Sequence, residues 1–202
     1  CTIDKPMRVI EDSCEAIQPL SGTLSCYSTY FSHHLNTVEG GVVCTNDETI
    51  ADWLRSARAH GWARGRSDWL SCVERYPEID RRFLFVTQGF NMKPTELAAA
   101  AGLVQLSKAE DMSDARLHAF REIAEGMDGL SARPLKLIGN ASPFAFPILC
   151  PDKNTRNSLS TALEAKGIET RPIAGGCMPR QPAFRKYADK WEAAPLPGAN
   201  KV

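Results

Sequence analysis

Apolar and polar positions along the chain alternate in short and long blocks. "MRVIED" (Met7 to Asp12) is a short apolar run ending in acid, as a parallel strand does on reaching a loop. Leu24 to Phe31, rich in Tyr, Thr and Ser, suits a second strand. Gly40 to Asp47 suits a third, with Asn46-Asp47 as its exit. Asp47 then predicts a capped helix. In "DETIADWLRSARAHG" the apolar positions are Ile50, Trp53, Leu54 and Ala57, and Gly61 is a stop signal. From Trp62 to Phe83 charged and aromatic residues follow one another without a clear period, which predicts a long loop, and such loops are usually functional. "KPTELAAAAGLVQLSKAEDM" returns to helical spacing, with Thr95 as cap and Leu97, Ala101, Val104 and Leu106 as the apolar side. "SDARLHAFREIAEGMDGL" continues as a second amphipathic helix. The pattern changes near Gly129. "SPFAFPILC" predicts a strand, "NTRNSLSTALEAKGI" a helix ending at Gly167, and "ETRPI" another strand. This alternation predicts an α/β chain in two parts, 1–128 and a smaller unit over 129–202.

Composition narrows the function classes. The 202 residues carry 24 basic and 24 acidic side chains, so no basic excess points to nucleic acid or an anionic membrane. Apolar runs stay far short of the roughly 20 residues a membrane helix needs. The seven cysteines are widely spaced, without a C-x-x-C pair, which argues for free thiols in a reducing cytoplasm and against a zinc ribbon. The chain opens on Cys and ends in "LPGANKV" without a helix stop, and it reads as a fragment truncated at both ends.

The candidate chemistry lies near the predicted sheet. Asp12 ends the first strand, and in open α/β sheets ligands bind beyond the carboxyl ends of strands. A carboxylate there can pair with a cationic ring nitrogen of a cofactor, or it can cap a helix beginning "SCEAI". His33 and His34 are poor zinc ligands as neighbours, since helical pairs use i, i+4 and no acid or cysteine spacing completes a set; no metal is expected. On a strand the two would face opposite ways, one toward a site and one toward protein or solvent.

The order is specific: strand-Asp, Ser28, His33, "EGG" (Glu39 to Gly41), "RAHGW", then "GFNMKPTELAAAAGLVQL". It resembles the pyridoxal-phosphate-dependent sugar aminotransferases of the DegT type, most strongly from Met7 to Leu106 and more weakly through "GIETRPIAGGCMPRQPAF". The resemblance implies the type I aspartate aminotransferase fold, with 1–128 as part of the large cofactor domain and 129–202 as part of the small one. In the family a lysine that binds the cofactor covalently precedes the glutamate by six residues and follows the phosphate-contacting serine by five. Both counts, from Glu39 and from Ser28, land on His33. An imidazole forms no stable imine but is a competent base near neutral pH.

Histidine at this position resembles the branch of NDP-4-keto-6-deoxyhexose 3-dehydratases that serve 3,6-dideoxysugar and lipopolysaccharide O-antigen synthesis. That likeness implies pyridoxal or pyridoxamine phosphate as cofactor and His33 as base. It also implies Asp12 on the pyridine nitrogen, Ser28 on the phosphate and Glu15 near the cofactor, where aminotransferases often have glutamine. Asn91 would reach the phosphate of a partner subunit's cofactor, which implies a homodimer, and Arg171 would lie on the nucleotide-sugar side. Tyr30 and Glu39 are weaker carry-overs. Glutamate as amino donor or an iron–sulfur reductase would serve the cofactor. The rivals are an ordinary sugar aminotransferase, which lacks a lysine between Lys5 and Lys93, and an inactive fragment. One departure is the short segment from Ala16 to Gly22, which leaves the geometry between Asp12 and Ser28 open.

Overall fold

The computed structural model of the chain describes residues 8–17, 22–138, 142–173 and 175–190. Met7, most of the short Ala16 to Gly22 segment (18–21) and the stretch 191–202 lie outside them. The chain divides into two compact units, Cys1–Leu149 and Cys150–Val202.

In the first unit, β1 (Ile10–Asp12), β2 (Leu24–Ser28) and β3 (Gly41–Thr45) form one sheet in that order. β1 runs parallel to β2 with Asp12 opposite Cys26, and β3 returns antiparallel with Gly41 opposite Ser28. All three strands fall inside the segments that patterning selects. α1 (Glu48–Ala57) starts where Asp47 accepts from the backbone N–H groups of Thr49 and Ile50, satisfying donors the first turn would otherwise leave open.

The buried stripe of α1 differs from the one expected. Trp53 is half exposed, and the buried residues are Asp52, Ser56 and Ala57. Polar groups are tolerated there because each is bonded. Asp52 accepts from the Ser67 amide and hydroxyl and from Arg55, and the Ser56 hydroxyl donates to the Trp62 carbonyl.

The expected loop from Trp62 to Phe83 instead contains α2 (Trp69–Arg75) between short 3-10 turns. Its hold is tertiary. Cys72 packs with Ala63 and Leu84 in a small core that Trp69, Val73 and Val86 cover. Residues 85–92 then run back along the end of α1, with Val86, Phe90 and Met92 amides donating to Gly61, Ala57 and Arg58 carbonyls. The backbones lie so close that a Cβ on Gly61 would sit 1.8 Å from the Thr87 oxygen. Gly61 also has φ 89°, so glycine is needed on both counts.

α3 (Glu96–Leu106) is capped by Thr95 as expected, but its apolar side is not buried: Leu97, Leu103, Val104 and Leu106 are all exposed. α4 (Ala109–Gly126) buries Phe120, which meets Phe146 at 4.8 Å between ring centroids. A two-stranded ribbon of β4 (Arg133–Pro134) and β5 (Ile148–Leu149) closes this unit. Only the end of "SPFAFPILC" is therefore strand, as its prolines remove ladder donors.

The second unit holds α5 (Lys153–Glu164), capped by Asp152 through the Thr155 amide and closed at Gly167 with φ 79°. "ETRPI" is not a strand. Its Thr170 hydroxyl turns back to Glu164 and pairs with Ser160, and Pro172 offers no donor for a ladder.

Candidate active site

Because β1 and β2 are parallel, their carboxyl ends open on the same edge of the sheet, the edge where such sheets bind ligands. Asp12 ends β1 and is exposed there. Its carboxylate accepts from the Cys14 amide at 3.1 Å. Hydrogen bonds from the Cys14 side chain and amide hold it below the usual carboxylate range, so it is an anion, while the Cys14 thiol is pushed up to about 11 and stays protonated. Glu15 follows in the next turn and is exposed.

Ser28 ends β2, and its Oγ accepts from the Tyr30 amide at 3.2 Å. The chain then enters a turn, not a further stretch of strand, and both histidines lie in it. The His33 amide donates to the Tyr30 carbonyl. The loop closes on itself through Thr29 and Thr37, whose hydroxyls are 2.7 Å apart, and through the Val38 amide, which donates to the Asn36 side chain. Gly102 of α3 comes so near the Thr37 methyl that a Cβ on it would lie 3.3 Å away.

Two backbone positions in this loop are strained or restricted. Val38 has φ 73°, a region that β-branched residues avoid. Gly40 has φ 149°, and a Cβ on it would meet the Thr29 hydroxyl oxygen at 2.7 Å. The second of these explains part of the Glu-Gly-Gly wording. The first had no signal in the sequence, since valine is not a residue that announces a left-handed turn.

The two histidines differ in burial, and they lie in a turn, not on the strand whose alternation was expected to separate them. His33 is half-buried, and its ring stands edge-on to Tyr30 at 5.7 Å and to Phe144 at 5.4 Å. Its Nδ1 is buried with no hydrogen-bond partner among the described residues. His34 is buried at 6% exposure and tilts against the same Phe144 ring at 5.9 Å. Burial lowers its pKa first, and the positive charge of Arg116 adds to that. The Ser142 backbone and the Glu15 charge oppose the shift, and neither His34 ring nitrogen makes a well-formed hydrogen bond among the described residues. The residue holding this arrangement is one the sequence did not reveal: Arg116 of α4 donates to the carbonyls of Pro143 and Phe144.

The structure therefore gathers Asp12, Glu15, Ser28 and His33 around one sheet edge and the turn that follows it. Asn91 lies elsewhere in this unit, exposed and bridged through its backbone to Ala59. Arg171 belongs to the second unit, where it is exposed beyond α5. Among the described residues no cluster of three or more His, Cys, Asp or Glu could hold a metal ion, and no helix is long and apolar enough to cross a membrane.

With this geometry in place, comparison with known proteins is informative. Residues 4–202 match the model of the DegT/DnrJ/EryC1/StrS aminotransferase family. The GDP-4-keto-6-deoxy-D-mannose 3-dehydratase of Yersinia pseudotuberculosis is 29% identical over 203 residues, which is 93% of this chain and 51% of that protein. The solved structure of the E. coli GDP-4-keto-6-deoxy-D-mannose-3-dehydratase with bound hydrated PLP superposes with a TM-score of 0.74 at 27% identity, over 91% of this chain and 51% of the other. A GDP-4-keto-6-deoxymannose-3-dehydratase with one histidine replaced by asparagine and GDP-perosamine bound gives a TM-score of 0.75 at 27% identity, with the same coverage of 91% and 51%. The chain thus spans about half the length of the relatives it matches.

Proposed function

The chain belongs to the DegT/DnrJ/EryC1/StrS aminotransferase family, and we propose that it is part of a pyridoxal-phosphate-dependent 3-dehydratase acting on an NDP-4-keto-6-deoxyhexose in dideoxysugar synthesis. Its fold is part of the type I aspartate aminotransferase fold. On this reading 1–128 is a portion of the large cofactor domain and 129–202 a portion of the small one.

The single observation that carries the proposal is His33, half-buried in the turn where the family pattern has its lysine. The surrounding residues fit a phosphorylated pyridine. An anionic carboxylate and a hydroxyl stand at the carboxyl ends of neighbouring strands, and Gly40 allows a backbone approach that a side chain would block. Asp12 would keep the pyridine nitrogen protonated, and Ser28 would bind the phosphate. When bound, pyridoxamine phosphate supplies the amine that engages the 4-keto carbon and the ring that accepts electrons as the 3-hydroxyl leaves. His33 would move the proton this requires and cannot capture the cofactor.

Glu15 lies beside the same site, and its charge reaches His34. Asn91 would contact the cofactor of a second subunit. The exposed Leu97, Leu103, Val104 and Leu106 of α3 are in keeping with a homodimer. Arg171 would bind the sugar nucleotide, glutamate would regenerate the amine, and a cytoplasmic location goes with these substrates. An aminotransferase is disfavoured by the absence of a lysine at position 33.

Incubating the protein with pyridoxal phosphate, glutamate and a GDP-4-keto-6-deoxyhexose tests the assignment. The released sugar nucleotide should have lost one oxygen atom by mass spectrometry, its 3-CHOH having become CH2, while glutamate is converted to 2-oxoglutarate and ammonia is released. Appearance of an amino sugar in its place would establish the aminotransferase reading.

A further inference from the structure

We propose that Arg116 and Phe144 form a strap that positions the His33 ring, with Arg116 as a positioning residue that touches neither cofactor nor substrate. The inference rests on the reading of His33 as the base.

His33 has few restraints of its own. Its amide bonds to Tyr30, but its Nδ1 has no partner among the described residues, so no hydrogen bond fixes the ring from behind. Bases in designed sites are usually oriented by such a bond. Here packing takes that place. Phe144 stands nearly perpendicular to His33, at 86°, and tilts at 45° to His34, so a single ring contacts both imidazoles. Tyr30 also stands edge-on to His33, at 79°.

Phe144 lies in an irregular segment, residues 142–147, whose far end is held by the Leu135 amide on the Pro147 carbonyl and by Phe146 against Phe120. At Phe144 itself the anchor is Arg116, whose Nη1 donates to the Phe144 carbonyl at 3.1 Å and to the Pro143 carbonyl at 3.4 Å. α4 thereby reaches the site from a residue 83 positions beyond the base in the chain, a coupling with no local motif. His34 completes the strap: it is buried, and its ring tilts against Phe144 at 5.9 Å.

The chain contains four histidines, His33, His34, His60 and His118, so histidine NMR reads each ring in this chain without cofactor or substrate. Imidazole nitrogen and proton shifts should be followed across pH in the wild-type chain, Arg116→Gln and Phe144→Leu, with assignment by single substitutions. Both variants should shift or double the His33 and His34 signals and leave His60 and His118 unmoved. Arg116→Lys, which keeps the charge and one donor, should restore part of the wild-type spectrum. Unchanged His33 signals in both folded variants would overturn the strap. If Arg116→Gln proves unfolded by circular dichroism, Phe144→Leu alone decides by the same criterion. With the dehydration assay, the strap predicts kcat reduced about 10- to 100-fold and KM little changed in Arg116→Gln. A strap confirmed by NMR in a protein that dehydrates nothing would refute the functional reading and leave this one standing.

Discussion

Two parts of the first unit handle buried polar groups differently. Around α1 and α2 the buried polar side chains of the helices are answered, with the Trp62 indole N–H left without a partner among the described residues. Asp52 has Ser67 and Arg55, Ser56 has the Trp62 carbonyl, and Ala63, Cys72 and Leu84 fill the space between. In the turn after β2, buried imidazole nitrogens lack hydrogen bonds among the described residues, Ser142 Oγ has none either, and Val38 sits in a left-handed conformation. The first arrangement is what stability alone favours. The second costs stability, and costs of that kind collect at functional sites. The contrast is one of degree, and unanswered polar atoms concentrate around the turn that carries His33.

The largest effect expected belongs to the scaffold. Leu84→Ala should cost about 2 to 5 kcal/mol in urea melts, because Leu84 is 2% exposed and its neighbours cannot close the cavity fully. An effect below 1 kcal/mol would mean the small core is looser than described.

Next comes Asp52, whose carboxyl is held at about 2, first by the Ser67 hydroxyl and amide and then by Arg55. Its folded pKa lies below the unfolded one, near 3.8, so its contribution is present above that value and fades as pH falls toward 2. Asp52→Asn should lower the melting temperature at pH 7 and flatten the acid limb; an unchanged limb would remove Asp52 from the account.

Val38→Gly should stabilise the chain by roughly 1 kcal/mol, since glycine adopts a positive φ without steric cost. Destabilisation would show that the valine side chain does more than tolerate the turn.

The smallest effect is a pH dependence from His34. Burial lowers its folded pKa below the ordinary 6.5, so the unfolded chain binds more protons and stability declines as pH falls below 6.5. His34→Phe should remove that decline while keeping the ring packing. A decline of the same size in the variant would place its origin elsewhere.

Elements with local signals were readable in the sequence. Asp47 and Thr95 cap helices through their own side chains, and the three strands carry their apolar runs and exits within a few residues. What was not readable depends on distant partners. α2 is only seven residues long and rests on Leu84 and Ala63, so its period is too short to show. The polar stripe of α1 needs Ser67 and Trp62 in place before Asp52 and Ser56 can be buried. The same holds for the site. Counting from Ser28 and Glu39 points to His33, and the strand end points to Asp12, both from local sequence alone. Arg116 and Phe144 carry no motif and emerge only when α4 and the 142–147 segment are brought against the turn.

The central claim, that a histidine replaces the covalent anchor, is tested most directly by borohydride trapping followed by peptide mass spectrometry. The wild-type chain should bind pyridoxal phosphate reversibly and yield no reduced adduct, whereas His33→Lys should yield one, on residue 33. A reduced adduct on a lysine of the wild-type chain would contradict the account.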